Sequence, residues 1–203
     1  LTAPSGCSNL TSTVRVSPLE TDMGLWAGRK DANWSNQTNW CGLVVPTNTV
    51  NVTIPTTGPT YNPTVSTAVN ANNLTVQSGR TLTINSGGDL RVSGTLTSTN
   101  SIDVTAGKLT LNGAAAQIIP ANIFSSNTIK DVEFNNSAGV TLNGSLRITG
   151  LLTATAGAFN ANGFLTLASS ESNTANVAPV GSGASIQGLV KVERFLKGGS
   201  INP

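Results

Sequence analysis

Residues 73–111, NLTVQSGRTLTINSGGDLRVSGTLTSTNSIDVTAGKLTL, decide the fold, because their order of short apolar pairs and turns returns at 131–167 as DVEFNNSAGVTLNGSLRITGLLTATAGAFNANGFLTL. Leu74 and Val76 answer to Val132 and Phe134, Leu82 and Ile84 to Val140 and Leu142, Leu90 and Val92 to Leu146 and Ile148, and Leu109 and Leu111 to Leu165 and Leu167. The segment Leu90-Arg91-Val92-Ser93-Gly94 is nearly copied as Leu146-Arg147-Ile148-Thr149-Gly150. The spacing changes where Asn85-Ser86-Gly87-Gly88-Asp89 shortens to Asn143-Gly144-Ser145, as expected when turns vary around a held strand core. Such self-similarity marks a repeat architecture.

The first run reads as strands at 74–76, 82–84, 90–92, 96–98, 102–104 and 109–111, each with an apolar residue inward at its first position. An antiparallel meander would also tolerate turns this frequent. Grouping the strands by three is more restrictive: it sets Leu74 under Leu96, Leu82 under Ile102 and Leu90 under Leu109. The second run obeys the same grouping, with Val132 on Leu152, Val140 on Phe159 and Leu146 on Leu165. The fold expected is therefore all-β, a right-handed parallel β-helix (β-solenoid) with about three short strands per coil of about twenty residues. Alternation turns Leu82 and Ile84 inward and Thr81 and Thr83 outward. Corners such as Asn112-Gly113, Asn143-Gly144 and Asn162-Gly163 supply residues that tolerate positive φ. Six or seven coils rising ~4.8 Å each make a rod of roughly 30 Å.

The flanks differ in texture. Residues 1–22 hold one strand-like run, Leu10 to Val16, which cannot bury itself alone and reads as the terminal strand of a preceding module or an edge strand. Residues 23–71 read as a Trp-rich cap and first coil. Trp26, Trp34 and Trp40, all the tryptophans of the chain, lie within fifteen positions. They would cover the exposed apolar end of the first coil, and the rival reading is a platform on which sugars stack. Residues 72–203 carry the repeats: units 72–112 and 130–168, an irregular coil at 113–129 and a last coil at 169–196.

The pattern Trp26-x-Gly28, Asn39-Trp40-Cys41-Gly42, Val45-Pro46-Thr47 and Val52-Thr53-Ile54-Pro55, continued by Asn73-Leu74-Thr75-Val76, resembles the β-helical repeat regions of very large surface proteins from Bacteroidota. The segment Ala178-Pro179-Val180 to Val190-Lys191-Val192-Glu193-Arg194-Phe195 is similar to the exit of that region. Ser5-Gly6-Cys7 to Val14-Arg15-Val16 resembles the final strand of the immunoglobulin-like modules that often precede it. The resemblance implies export by the type IX route and a role in adhesion or surface structure. The C-terminal sorting domain of such proteins is missing from these residues.

Composition narrows the chemistry. Charged residues make up 10% and aromatics 4% of 203 residues, and there is no His. A Ser or Cys nucleophile thus lacks its usual base, and zinc lacks a preferred ligand. No Lys/Arg run with interleaved aromatics suggests nucleic acid, and no apolar run approaches the ~20 residues of a membrane helix. Low charge and abundant Asn and Thr suit an extracellular or cell-surface protein, in which Cys7 and Cys41 either pair or stand as two separate thiols. Asp31-x-Asn33-x-Ser35-x-Gln37 alternates oxygens as a calcium loop does, but the turn glycine and closing carboxylate are replaced by Asn36 and Gly42. Asp131 and Glu133 share an outer face, with Arg147 expected nearby, and could act as acid and base in a polysaccharide lyase or hydrolase. Outward threonines suggest ice binding, but Thr83 falls on Asp103 and Thr110 on Arg91, breaking the ladder. The reading is a non-enzymatic structural or adhesive module of a long bacterial surface protein or fibre, without cofactor. Its partners would be neighbouring modules, copies of itself or surface glycans, and the alternative is a carbohydrate-active or carbohydrate-binding β-helix.

Overall fold

The computed structural model describes residues 23–99 and 101–197. Cys7 and the strand-like run at 10–16 lie outside them. The chain winds through about seven coils, the first six visiting three faces in the same order and the seventh the first two of them. The first coil is β1 (Val52–Ile54), β2 (Thr64–Val65) and β3 (Ala68–Ala71), and the second is β4 (Leu74–Val76), β5 (Leu82–Ile84) and β6 (Asp89–Val92). In the third, β7 (Leu96–Thr97) is followed by β8 (Ile102–Leu111), long enough to turn a corner and serve two faces. The fourth holds β9 (Gln117–Ile119) and the similarly bent β10 (Phe124–Asn135). The fifth runs through β11 (Val140–Leu142), β12 (Leu146–Ile148) and the start of β13 (Leu151–Asn160). The end of β13 opens the sixth coil, completed by β14 (Leu165–Leu167) and β15 (Asn176–Val177), and β16 (Ala184–Gln187) and β17 (Val190–Val192) form the seventh.

Every ladder between these strands is parallel, and all six expected stackings occur: Leu74 with Leu96, Leu82 with Ile102, Leu90 with Leu109, Val132 with Leu152, Val140 with Phe159 and Leu146 with Leu165. Val52, Leu74 and Leu96 are stacked at a spacing of twenty-two residues. The two similar runs do not start on the same face. Leu74 lies on the first face, in line with Val52, whereas Val132 lies on the third, in line with Leu109. Their offset in sequence is not a whole number of coils, so the copied feature is the alternation of strand and corner. Each face makes the same demand, apolar inward and polar outward, and one run can serve on another face. Residues 169–196 likewise are not a single coil, since β15 finishes the sixth and β16 begins the seventh.

The interior is one continuous apolar column. Ile54, Leu74, Leu82, Ile84, Leu90, Ile102, Leu109 and Ile129 are fully buried, each worth about 1.5–3 kcal/mol over exposure. Phe134 and Phe159 stack inside the column with centroids 3.9 Å apart. Gly157 adopts φ +75° against the Asn136 carbonyl, so any side chain there meets backbone. The rim of the seventh coil carries Leu189, Val192 and Leu196, which are exposed.

Candidate functional site

The Trp segment forms a rudimentary coil laid on the first. The Trp26 N–H donates to the Thr53 carbonyl (2.9 Å) and the Thr53 N–H to Gly24 (2.9 Å), while Trp34 donates to Thr64 (3.0 Å) and Thr64 to Ala32 (2.6 Å). These bonds use the outward edge of β1 and β2, which would otherwise template further strands. Gly24 holds φ +84° where it passes the Asn51 carbonyl, a path closed to other residues. All three indoles are 0% exposed. Trp40 meets Trp34 edge-on at 4.8 Å and Trp26 at 5.0 Å. Trp26 Nε1 donates to Tyr61 O and Trp40 Nε1 to Trp34 O, both at 2.8 Å, whereas Trp34 Nε1 has no partner among the described residues. No ring face is open for a sugar, so the sugar-stacking platform is not what these residues build.

The would-be calcium loop stitches the lid together. Asp31 Oδ1 accepts from Asn39 Nδ2 (2.7 Å) and the Asn33 N–H (2.8 Å), and Oδ2 accepts from Asn36 Nδ2 (2.9 Å). Asn33 Oδ1 accepts from the Ser35 N–H (3.0 Å), and Ser35 Oγ reaches Thr67. The oxygens expected to bind a cation are engaged by N–H donors, because Asn36 stands where a calcium loop has glycine. The side-chain amide of Asn36, then that of Asn39 and the Asn33 N–H, hold the Asp31 carboxyl below the usual carboxylate range. Among the described residues no group of three His, Cys, Asp or Glu could hold a metal. Cys41 is disulfide-bonded and accepts a contact from Arg29 at 3.7 Å.

Asp131 and Glu133 do share the outer side of the third face, but they are not a free acid and base. Lys108 stacks between Asp89 and Asp131 in register. Its ammonium lies 2.9 Å from Glu133 and 3.2 Å from Asp89, and Asp89 also accepts from Arg91 (2.8 Å) and Thr110 (2.7 Å). Burial pulls Lys108 down, yet the Glu133 bond and the Asp89 charge outweigh it and leave its pKa raised. Asp131 accepts from the Leu151 N–H (2.7 Å) and Glu133 from Thr155 (3.0 Å). Arg147 is not near this pair; it sits on the second face, bonded to Glu193 at 2.6 Å. A two-residue sequence spacing gives the shared face of Asp131 and Glu133 but not the cation stacked between coils.

The feature missed by sequence reasoning lies between the third and fourth coils. Here the first face is interrupted: β7 ends the ladder β1-β4-β7 and β9 begins the next, while β8 and β10 remain paired on the other two faces. Leu74 donates to Thr95 (2.8 Å), which turns the Leu96 backbone groups toward the fourth coil, and Gln117 donates to Gly139 (3.0 Å), which turns those of Ile118 toward the third. The buried Gln117 side chain fastens the break. Its Nε2 donates to Val92 O (3.0 Å) and Gly94 O (2.7 Å), and its Oε1 accepts from the Gly113 N–H (2.8 Å) and Asn136 Nδ2 (2.9 Å). Asn136, 0% exposed, also donates to Ala115 O (2.8 Å). Beside this network lies a cleft of ≈ 780 Å³ bordered by Asn72, Asn73, Asn112, Leu96 and Ile118. The trace in sequence is the inward Gln117 within GAAAQIIP, where the repeat asks for an apolar residue.

Fold and geometry together define the class: a parallel β-helix sealed at its first coil by a Trp lid. A family model described as a domain of unknown function, DUF8693, matches residues 25–141, and the chain belongs to that family. The match opens on the lid and closes within β11, so it takes in both the lid and the interrupted coil. No curated protein and no solved structure matches the chain.

Proposed function

We propose that the chain is a non-enzymatic structural module of a long, extracellular bacterial surface protein, of the adhesin or fibre kind carried by Bacteroidota and exported by the type IX route. The observation that carries this reading is the apolar column running from the lid through the seventh coil, with all but one step between its strands hydrogen-bonded among the described residues. Such a column makes a rigid spacer of roughly 30 Å. The carboxylates of the third face, each engaged by a cation, hydroxyl or amide, suit a structural wall better than a hydrolytic centre. Neighbouring modules or further copies would meet the rim where Leu189, Val192 and Leu196 are exposed.

The test is localisation joined to activity. Antibodies against residues 23–197 are expected to label intact cells of the source organism, and the purified protein to release no reducing ends or unsaturated sugars from polysaccharides. Labelling only after permeabilisation would overturn the surface reading. Release of sugars would favour a carbohydrate-active β-helix instead.

A further inference from the structure

We propose that the cleft between the third and fourth coils binds a neutral oligosaccharide. The inference stands apart from the spacer reading, since it rests on the one place among the described residues where a ladder is interrupted. A rod that needed only length would lay β9 on β7, as β4 lies on β1. Here a buried Gln117–Asn136 pair occupies the break, with Gln117 Nε2 donating to the Gly94 carbonyl and, beside the Asn112 N–H, to that of Val92. Buried polar networks of this kind are tolerated only when fully bonded, so the opening is held by a dedicated set of side chains.

The lining selects the ligand. Among the described residues no Lys, Arg, Asp or Glu borders the cleft, which disfavours uronic acids, phosphates and charged peptides. Its rim carries amides and hydroxyls of Asn48, Asn72, Asn73, Ser93, Thr95 and Asn112, of which Asn72 Nδ2 donates to Asn51, Asn73 Oδ1 accepts from Thr95 and the Ser93 hydroxyl donates to Asn48 O. An amide both donates and accepts, as vicinal sugar hydroxyls require. Asn112 Oδ1 has no hydrogen-bond partner among the described residues. The floor is apolar: Leu96 is buried at its edge, and Ile118, which alternation should leave polar, is 53% exposed. Such a surface suits the C–H faces of pyranose rings. An inserted peptide strand is the less suitable occupant. The second and third faces keep these two coils one strand spacing apart, ~4.8 Å, and a further strand between β7 and β9 would need twice that.

The experiment is an NMR titration of the isotope-labelled chain with cellohexaose, xylohexaose, maltohexaose and mannohexaose, using hexagalacturonate and an uncharged hexapeptide as comparators, each up to roughly 10 mM so that millimolar affinity is seen. At least one neutral hexasaccharide is expected to shift the Leu96 and Ile118 amides and the side-chain amides of Asn72, Asn73 and Asn112. Ala116→Trp, an exposed change that fills the cleft, should weaken that binding at least tenfold while leaving the shifts of the lid unchanged, and Asn112→Ala should weaken it severalfold. No shift from any of the four neutral sugars overturns the proposal. So does binding of hexagalacturonate or the peptide in their place, or binding that Ala116→Trp leaves intact.

Discussion

The lid and the fourth coil are two places where this chain leaves its own repeat, and they do so by opposite chemistry. At the lid three indoles close an apolar end, and the polar loop beneath them is satisfied by its own amides. At the fourth coil a buried Gln117 and Asn136 replace apolar residues and hold a ladder apart. One departure removes exposed edge, and the other creates it. A repeat supplies length on its own, so residues that break it are where specific properties are to be sought.

The largest expected effect is at the lid. Trp40→Ala leaves a cavity beside Trp26 and Trp34 and orphans the Trp34 carbonyl, and should cost about 3–5 kcal/mol, read as a lower midpoint in denaturant with the remaining indoles exposed to quenchers. At the fourth coil, Gln117→Leu keeps the volume but strips partners from Val92 O, Gly94 O, Gly113 N–H and Asn136. A loss of about 1–3 kcal/mol is expected, less than for Trp40→Ala; a larger loss would mean that the coil, not the lid, anchors the rod. Within the lid, Trp34→Phe removes an N–H that has no acceptor among the described residues, so it should cost less than Trp40→Phe by about 1 kcal/mol. Chemical denaturation of the pair decides this.

Acid should separate the two regions further. The folded Asp31 pKa lies below its ordinary value of about 3.9, so its contribution is fully present above that value and fades as pH falls through the lower folded one. Tryptophan fluorescence is therefore expected to report loosening of the lid below about pH 4, and Asp31→Asn should flatten that change. The smallest effect is expected at the rim: Arg147→Ala removes a half-exposed bridge to Glu193 and should shift stability by less than about 1 kcal/mol.

Much of the fold was legible in the residues. Alternation and turn chemistry gave the coils, and requiring both similar runs to stack consistently gave the register of Leu74 on Leu96 and Leu146 on Leu165. The third of a turn by which the runs are displaced was not legible, because the three faces impose the same pattern. Nor was the cation between Asp89 and Glu133, since Lys108 joins them only across coils. The calcium-like spacing at Asp31 misled for a local reason: Asn36 and Asn39 carry N–H donors that answer the same oxygens. The break at Gln117 was hidden by its apolar neighbours Ile118 and Ile119, one of which faces outward.

The interruption of the first face is the centre of this account, and amide hydrogen exchange resolved by residue tests it most directly. The Gln117 and Ile119 amides, bonded toward β11, should be strongly protected, and those of Leu96 and Ile118, directed into the gap, should exchange orders of magnitude faster. Equal protection of all four would mean that β7 and β9 are paired in solution, and the cleft would not exist.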